Sequence, residues 1–305
     1  MSEGVRKDVR KSHFLMKRFK SNDTGFGDEE DPTDMGLEEV NAIISVALEK
    51  MNCGGQQSVQ LEGIRALRTL LGTSESAIGI TVSSGIVPLL SNFLVIPSHD
   101  IQLEAAWCLT NVASSSESDH VMSVLVAVPY LLQLLSPSST HILPALQEQA
   151  VWCIGNIAGD TDEIRQRLVA AGAIPAVSEL LFTTAESLLL CAGGGSGERT
   201  DGDDLAHRRT LTAAWALSNL SRGSTPAAAM TLNDISGRSL ILLNSIVALL
   251  TRDSRDVNTP CSPAEETCLL LVILYSSFYC IFFILIHCFY LLFSVHIRYT
   301  KFAGH

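Results

Sequence analysis

The middle of the chain is written in apolar helical stretches, rich in Leu, Ala and Ile, broken by short polar turns. Three stretches align without gaps: Leu103-Glu-Ala-Ala-Trp107-Cys-Leu-Thr-Asn111-Val, Glu148-Gln-Ala-Val-Trp152-Cys-Ile-Gly-Asn156-Ile and Leu211-Thr-Ala-Ala-Trp215-Ala-Leu-Ser-Asn219-Leu. Each predicts a helix followed by a polar turn (Ser114–Asp119, Gly159–Asp162, Ser221–Thr225), and a degenerate copy at Leu61–Leu71 has its turn at Thr73–Ser76. A short helix is predicted next, then Gly or a small residue, Pro, and an apolar helix: Gly85-Ile-Val-Pro88, Ala127-Val-Pro129 and Gly172-Ala-Ile-Pro175. Proline is tolerated at a helix start because the amide it lacks has no intrahelical partner there, and glycine ends the helix before it.

The tryptophans stand 45 and then 63 residues apart, and Leu61 precedes its counterpart Leu103 by 42. Periods in the low forties belong to armadillo and HEAT arrays, and three helices per unit favour the armadillo type. One unit cannot close a core alone, so the units stack. The predicted fold is all-α: an armadillo-repeat, right-handed superhelical solenoid of about four repeats over residues 40–255. The longer third spacing places a surface insertion at residues 188–209, with Gly193-Gly-Gly-Ser-Gly197 and Asp201-Gly-Asp-Asp204 inside it. Without Gly-Lys-Ser/Thr or a preceding strand, that stretch does not read as a phosphate loop.

Trp and Asn four residues apart share one helix face. Repeated over successive layers, they predict a ladder of indoles with amides beside them. An indole face packs the stem of Lys or Arg and attracts its charge, and an Asn amide can pair with an extended peptide backbone. Asp160, one turn beyond Asn156, would supply an acid at the end of a pocket. The plainer alternative is that each Trp fills core and each Asn caps or bridges helices. Three copies at equal phase favour the groove, because core positions ordinarily exchange Leu, Ile and Val.

Charge sharpens the ligand class. A net charge of −11 argues against nucleic acid along the body and suits a basic ligand. Residues 1–22 are the opposite: Arg6, Lys7, Arg10, Lys11, Lys17, Arg18 and Lys20 form a basic arm. An acidic linker at 23–39 follows, with eight acids and no base. The eight cysteines show no Cys-x-x-Cys or zinc spacing and read as a reduced set, Cys108 and Cys153 lying at helical core positions. No nucleophile–base pair, metal cluster or nucleotide loop is visible, so the reading is of a non-enzyme with no cofactor.

The stretches Glu104-Ala-Ala-Trp107-Cys-Leu-Thr-Asn111-Val-Ala-Ser, Gln147-Glu-Gln-Ala-Val-Trp152-Cys-Ile-Gly-Asn156-Ile-Ala-Gly-Asp160 and Ala214-Trp215-Ala-Leu-Ser-Asn219-Leu-Ser-Arg222-Gly resemble armadillo repeats two, three and four of the importin-α nuclear-import adaptors. The resemblance covers roughly residues 58–255. It implies a peptide-binding groove for basic nuclear-localisation signals, its major site formed by Trp107, Asn111, Trp152, Asn156 and Asp160, with Trp215 and Asn219 extending it. The arm at Val5–Lys20 resembles the end of the segment that binds importin-β, which implies importin-β as a second partner and a protein of cytoplasm and nucleus. Ser115 and His120 replace the residues that flank the family's lysine pocket, which implies weaker lysine binding. The family has about ten repeats, so its minor site has no counterpart here.

From Cys268 to Ile297 the chain carries no Asp, Glu, Lys or Arg, and it is long enough to span a bilayer. Two readings stand: a transmembrane segment that tethers an armadillo scaffold to a membrane, binding some other extended peptide, or a mispredicted end of the coding sequence.

Overall fold

The computed structural model describes residues 35–136, 142–192 and 201–221. Among them run α1 (Leu37–Met51), α2 (Gln57–Thr73), α3 (Glu75–Ser83), α4 (Ile86–Phe93), α5 (His99–Val112) and α6 (Ser118–Ser123). After a 3-10 turn at Val124–Ala127 come α7 (Val128–Leu134), α8 (Pro144–Ala158), α9 (Asp162–Ala170), α10 (Ala173–Ala192) and α11 (Asp201–Leu220). No strand occurs among the described residues.

The four repeat-bearing helices α2, α5, α8 and α11 stack in chain order, each on the next. The apolar helix of each unit lies beside the repeat-bearing helix of the next: α4 beside α5, α7 beside α8, α10 beside α11. Helix α1 packs on α2 in the same way and closes the first layer. Its buried residues Val40, Ile44, Ala47 and Met51 recur at steps of four and three, one stripe of an amphipathic helix. Glu38 and Glu39 occupy its first turn and Lys50 its last, both favourable to the helix dipole. The end of the acidic linker is therefore helix: residues 37–39 belong to α1, three residues ahead of the expected start of the array at 40.

The joint between the short helix and the apolar one depends on a single residue three before the proline. At Gly85 (φ 69°) and Gly172 (φ 88°) the backbone is left-handed, which glycine adopts without a Cβ clash. The helices on either side turn by 89° at Gly85 and by 73° at Gly172. The second unit has Val126 there, exposed at 47%. A β-branched residue resists positive φ, and no residue but glycine takes it among the described residues. The chain instead passes through the 3-10 turn, so helical structure continues unbroken from Ser118 to Leu134.

The predicted insertion at 188–209 is largely helix. Its first part continues α10 to Ala192, and its second opens α11 at Asp201. Leu and Ala favour helix in the former. The glycine run at 193–197 lies outside the described residues, as do the basic arm 1–22 and the apolar segment 268–297. Among the described residues no single helix is long and apolar enough to cross a membrane.

One continuous core runs through the layers, and Cys108 and Cys153 are fully buried in it at equivalent positions. Cys108 donates to the carbonyl of Ile64, 3.6 Å away in the layer before. Burial pushes its thiol pKa far up, and the Glu104 carboxylate adds to the shift. At Gly63 α2 lies directly against α1. A Cβ there would stand 2.8 Å from the Ala47 carbonyl oxygen and 2.8 Å from the Lys50 Cβ.

Gly63→Ala is expected to lower stability by about 1–3 kcal/mol, because a backbone oxygen cannot move aside cheaply. Urea unfolding checks the total, and hydrogen exchange should show the loss concentrated in α1. A second expectation concerns pH. The folded Cys108 pKa is raised, so its contribution is complete below the unfolded thiol value of about 8.5 and declines as pH rises beyond it. Each further pH unit costs about 1.4 kcal/mol until the folded thiol ionises. The alkaline fall in unfolding free energy should be shallower in Cys108→Ala than in the parent.

Candidate functional site

The stacked helices place Trp107 and Asn111 on α5, Trp152 and Asn156 on α8, and Trp215 and Asn219 on α11. The three indoles are half-buried; Asn111 and Asn219 are buried and Asn156 partly so. Every asparagine makes the same hydrogen bond. Asn111 Nδ2 donates to the Arg68 carbonyl (3.4 Å), Asn156 to that of Thr110 (3.1 Å) and Asn219 to that of Gly155 (2.9 Å). In each case the acceptor directly precedes the repeat's asparagine position in the layer before: Thr69, Asn111 and Asn156 follow Arg68, Thr110 and Gly155. The bridging role that the sequence left open for these asparagines is thus the one seen.

The tryptophan of each outer pair meets the same residue as its asparagine. The Arg68 guanidinium lies over the Trp107 ring, its carbon 4.7 Å from the centroid. At the other end Trp215 rests on the bare backbone of Gly155. A Cβ there would come within 2.2 Å of the ring. Between them Thr110 joins a buried network, its hydroxyl donating to Ala106 O (2.8 Å) and accepting from Gln149 Nε2 (2.6 Å). The register position held by Arg68, Thr110 and Gly155 was not singled out from the sequence. Its signal is present there: it directly precedes each aligned asparagine position, and it is Arg, Thr and Gly in successive layers.

Charges surround the first step. Glu104, one turn before Trp107, pairs with Arg65 Nε at 3.0 Å and with Arg68 Nε at 2.5 Å. The second contact lacks hydrogen-bond geometry, and Arg68 Nε is buried without a hydrogen-bond acceptor. It is an ion pair. At the third step Arg208 pairs with Glu148 (3.3 Å) and Arg209 Nη1 donates to Gln147 Oε1 (2.7 Å). Burial lowers the Arg209 pKa, opposed by the Glu148 charge.

Asp160 lies two residues beyond the end of α8 and is only 6% exposed. Its Oδ1 accepts from the Ser118 hydroxyl at 2.9 Å, across from the next-lower layer. The Arg165 guanidinium, buried beside it, donates to the carbonyls of Ala158 and Asp160 and to Asp162 Oδ1, closing the end of α8. Ser115 and His120 hold each other, Oγ to Nδ1 at 2.9 Å, and the Ser115 hydroxyl also accepts from the Glu117 amide. Ser118 and Asp160 meet across the junction of the second and third layers, while the His120 ring that Ser115 holds lies beside Gly79 of α3, in the layer before. Ser118 and Arg165 were missed in the sequence because their partners lie in another helix or on the backbone.

Residues 77–114 match the armadillo/beta-catenin-like repeat family. The chain is 31% identical over 207 residues to importin subunit alpha-9 of Arabidopsis thaliana, covering 67% of this chain and 34% of that protein. It is 35% identical over 207 residues to importin subunit alpha-2 of Oryza sativa subsp. japonica, again 67% of this chain and 34% of the relative. This is an importin-α-like armadillo-repeat chain. It spans about a third of the length of the curated relatives it matches. A designed armadillo repeat protein superposes with a TM-score of 0.53 at 17% identity, covering 78% of this chain and 99% of that one, which supports the solenoid fold alone.

Gly155→Ala is expected to displace the Trp215 ring and cost about 1–3 kcal/mol. Asn219→Ala, which removes the donor for a buried carbonyl, should cost a similar amount. Near-ultraviolet circular dichroism should change in the first variant, and thermal unfolding should register both.

Proposed function

We propose that the importin-α-like chain is a nuclear import adaptor whose Trp–Asn face receives a basic localisation signal in extended form. The observation that carries this is the repeated pair itself. Three half-buried indoles, each beside an asparagine, stand on consecutive stacked helices of a chain with net charge −11. Spacing by one layer suits alternate side chains of a stretched peptide. An indole face takes the aliphatic stem and charge of Lys or Arg. Asn111 and Asn156 each spend one amide N–H on the neighbouring helix, and a carboxamide has a second N–H and an oxygen with which to pair with a ligand backbone.

The acid of the site is Asp160, and it works from a recessed position behind Ser118. A ligand ammonium that reaches it gains a charge-assisted hydrogen bond in a poorly hydrated place, at the cost of its own desolvation. The likeness to importin-α subunits supports the adaptor role, and the basic arm with Arg6, Lys7, Arg10, Lys11, Lys17 and Arg18 is the segment we assign to importin-β. The reading is of a binding adaptor of cytoplasm and nucleus, not an enzyme.

Fluorescence anisotropy with a labelled Lys-rich peptide tests the groove. Trp152→Ala and Asp160→Asn should each weaken binding about tenfold or more, a change of about 1.4 kcal/mol. Affinity should also fall with added salt. Parent-like affinity in both variants would remove the groove reading.

A further inference from the structure

Beyond the ladder, the second and third layers share one pair of register positions. Ser115 and Asp160 each stand eight residues past their tryptophan, and His120 and Arg165 thirteen. In both layers the later residue, on the short helix, reaches back to the earlier one. His120 Nδ1 and Ser115 Oγ lie 2.9 Å apart, and Arg165 Nη1 donates to the Asp160 carbonyl at 3.3 Å. The second layer thus joins two side chains. The third holds the backbone of a residue whose carboxylate accepts from Ser118 in the layer before.

Arg165 is only 5% exposed. Its Nη1 also donates to the Ala158 carbonyl, and its Nη2 to Asp162 Oδ1 at 2.9 Å. A buried guanidinium is costly unless its donors are matched. Here they meet two carbonyls at the negative end of α8 and one carboxylate, so the charge is answered by Asp162 and by the helix end.

We propose that Arg165 is a positioning residue for ligand recognition at Asp160. This rests on the peptide-groove reading given above. Contacts from one planar guanidinium to Ala158, Asp160 and Asp162 fix the turn that leaves α8, and with it the backbone of Asp160. The carboxylate is then aimed at the junction with the second layer, where Ser118 holds its Oδ1. An ammonium that arrives there meets an acid already set in orientation, so little side-chain entropy is lost on binding. Arg165 does not touch the ligand; it acts through Asp160.

The sign of the effect separates this role from that of a bare charge. As a bare charge Arg165 opposes a basic ligand, and its removal would strengthen binding. As a positioning residue it supports the ligand's acid, and its removal weakens binding. Anisotropy with the labelled Lys-rich peptide is measured on the full chain for Arg165→Met, Arg165→Lys and Asp160→Asn, and for each Arg165 change combined with Asp160→Asn. Arg165→Met should weaken binding about tenfold, the scale of one hydrogen bond to a charged group. Arg165→Lys keeps the charge without the planar fork and should lie between that variant and the parent. In the Asp160→Asn background neither change should cause further loss, because the carboxylate that Arg165 positions is gone. Thermal unfolding is recorded throughout, and if Arg165→Met does not fold, Arg165→Lys carries the same comparison.

Tighter or parent-like binding by the Arg165 variants overturns the proposal. An equal loss with and without the Asp160 carboxylate does so too, since it marks general damage to the fold. In those outcomes the groove reading stands as long as Asp160→Asn or Trp152→Ala weakens binding. Parent-like affinity in Asp160→Asn also overturns the proposal, and the groove is then judged on Trp152→Ala alone.

Discussion

The hydrogen bond from each repeat asparagine to the backbone of the helix before it is the interaction on which the described array depends. Helices stacked through apolar side chains alone can slide, since dispersion and hydrophobic contact carry little directional preference. A carboxamide donating to one particular carbonyl fixes both rotation and rise. Asn111, Asn156 and Asn219 make that bond at a common register, so α2, α5, α8 and α11 present the same face. The outer indoles follow from this, each one turn from its asparagine and over the same neighbour: Trp107 over Arg68 and Trp215 over Gly155.

That arrangement reconciles two roles which the sequence sets against each other. Structural bridging and ligand pairing do not compete for an asparagine, because the amide has two N–H groups and an oxygen. One N–H holds the helix before it. A residue used in this way is preorganised for a ligand, since its rotamer is already set and little side-chain entropy remains to be lost on binding. Under the proposed function the same economy applies at Asp160, where Ser118 and the Arg165 cap fix the surroundings of the carboxylate.

The layers are not identical copies. Gly85 and Gly172 allow a sharp turn that Val126 denies to the second unit, where a 3-10 turn carries the chain onward. Arg68 and Gly155 likewise give the outer indoles different supports: a cation for Trp107 and bare backbone for Trp215. A solenoid accommodates such differences because each layer contacts chiefly its neighbours. Local variation can therefore alter one step of a binding face without disturbing the rest.

The sequence by itself determined the repeat. Periodicity, the aligned Trp and Asn, and the glycine–proline joints specify stacked helices, since these are local patterns whose meaning does not depend on distant partners. The apolar stripe of α1 and the helices that enter the stretch 188–209 were legible in principle. There the acids and glycines drew the reading toward linker and loop. What each motif residue touches was decided only in the tertiary structure. Arg68 on Trp107, Trp215 on Gly155 and Ser118 on Asp160 join residues 39 to 60 positions apart. Their contacts depend on the rotation of one helix against the next, and no spacing along a single helix encodes that angle.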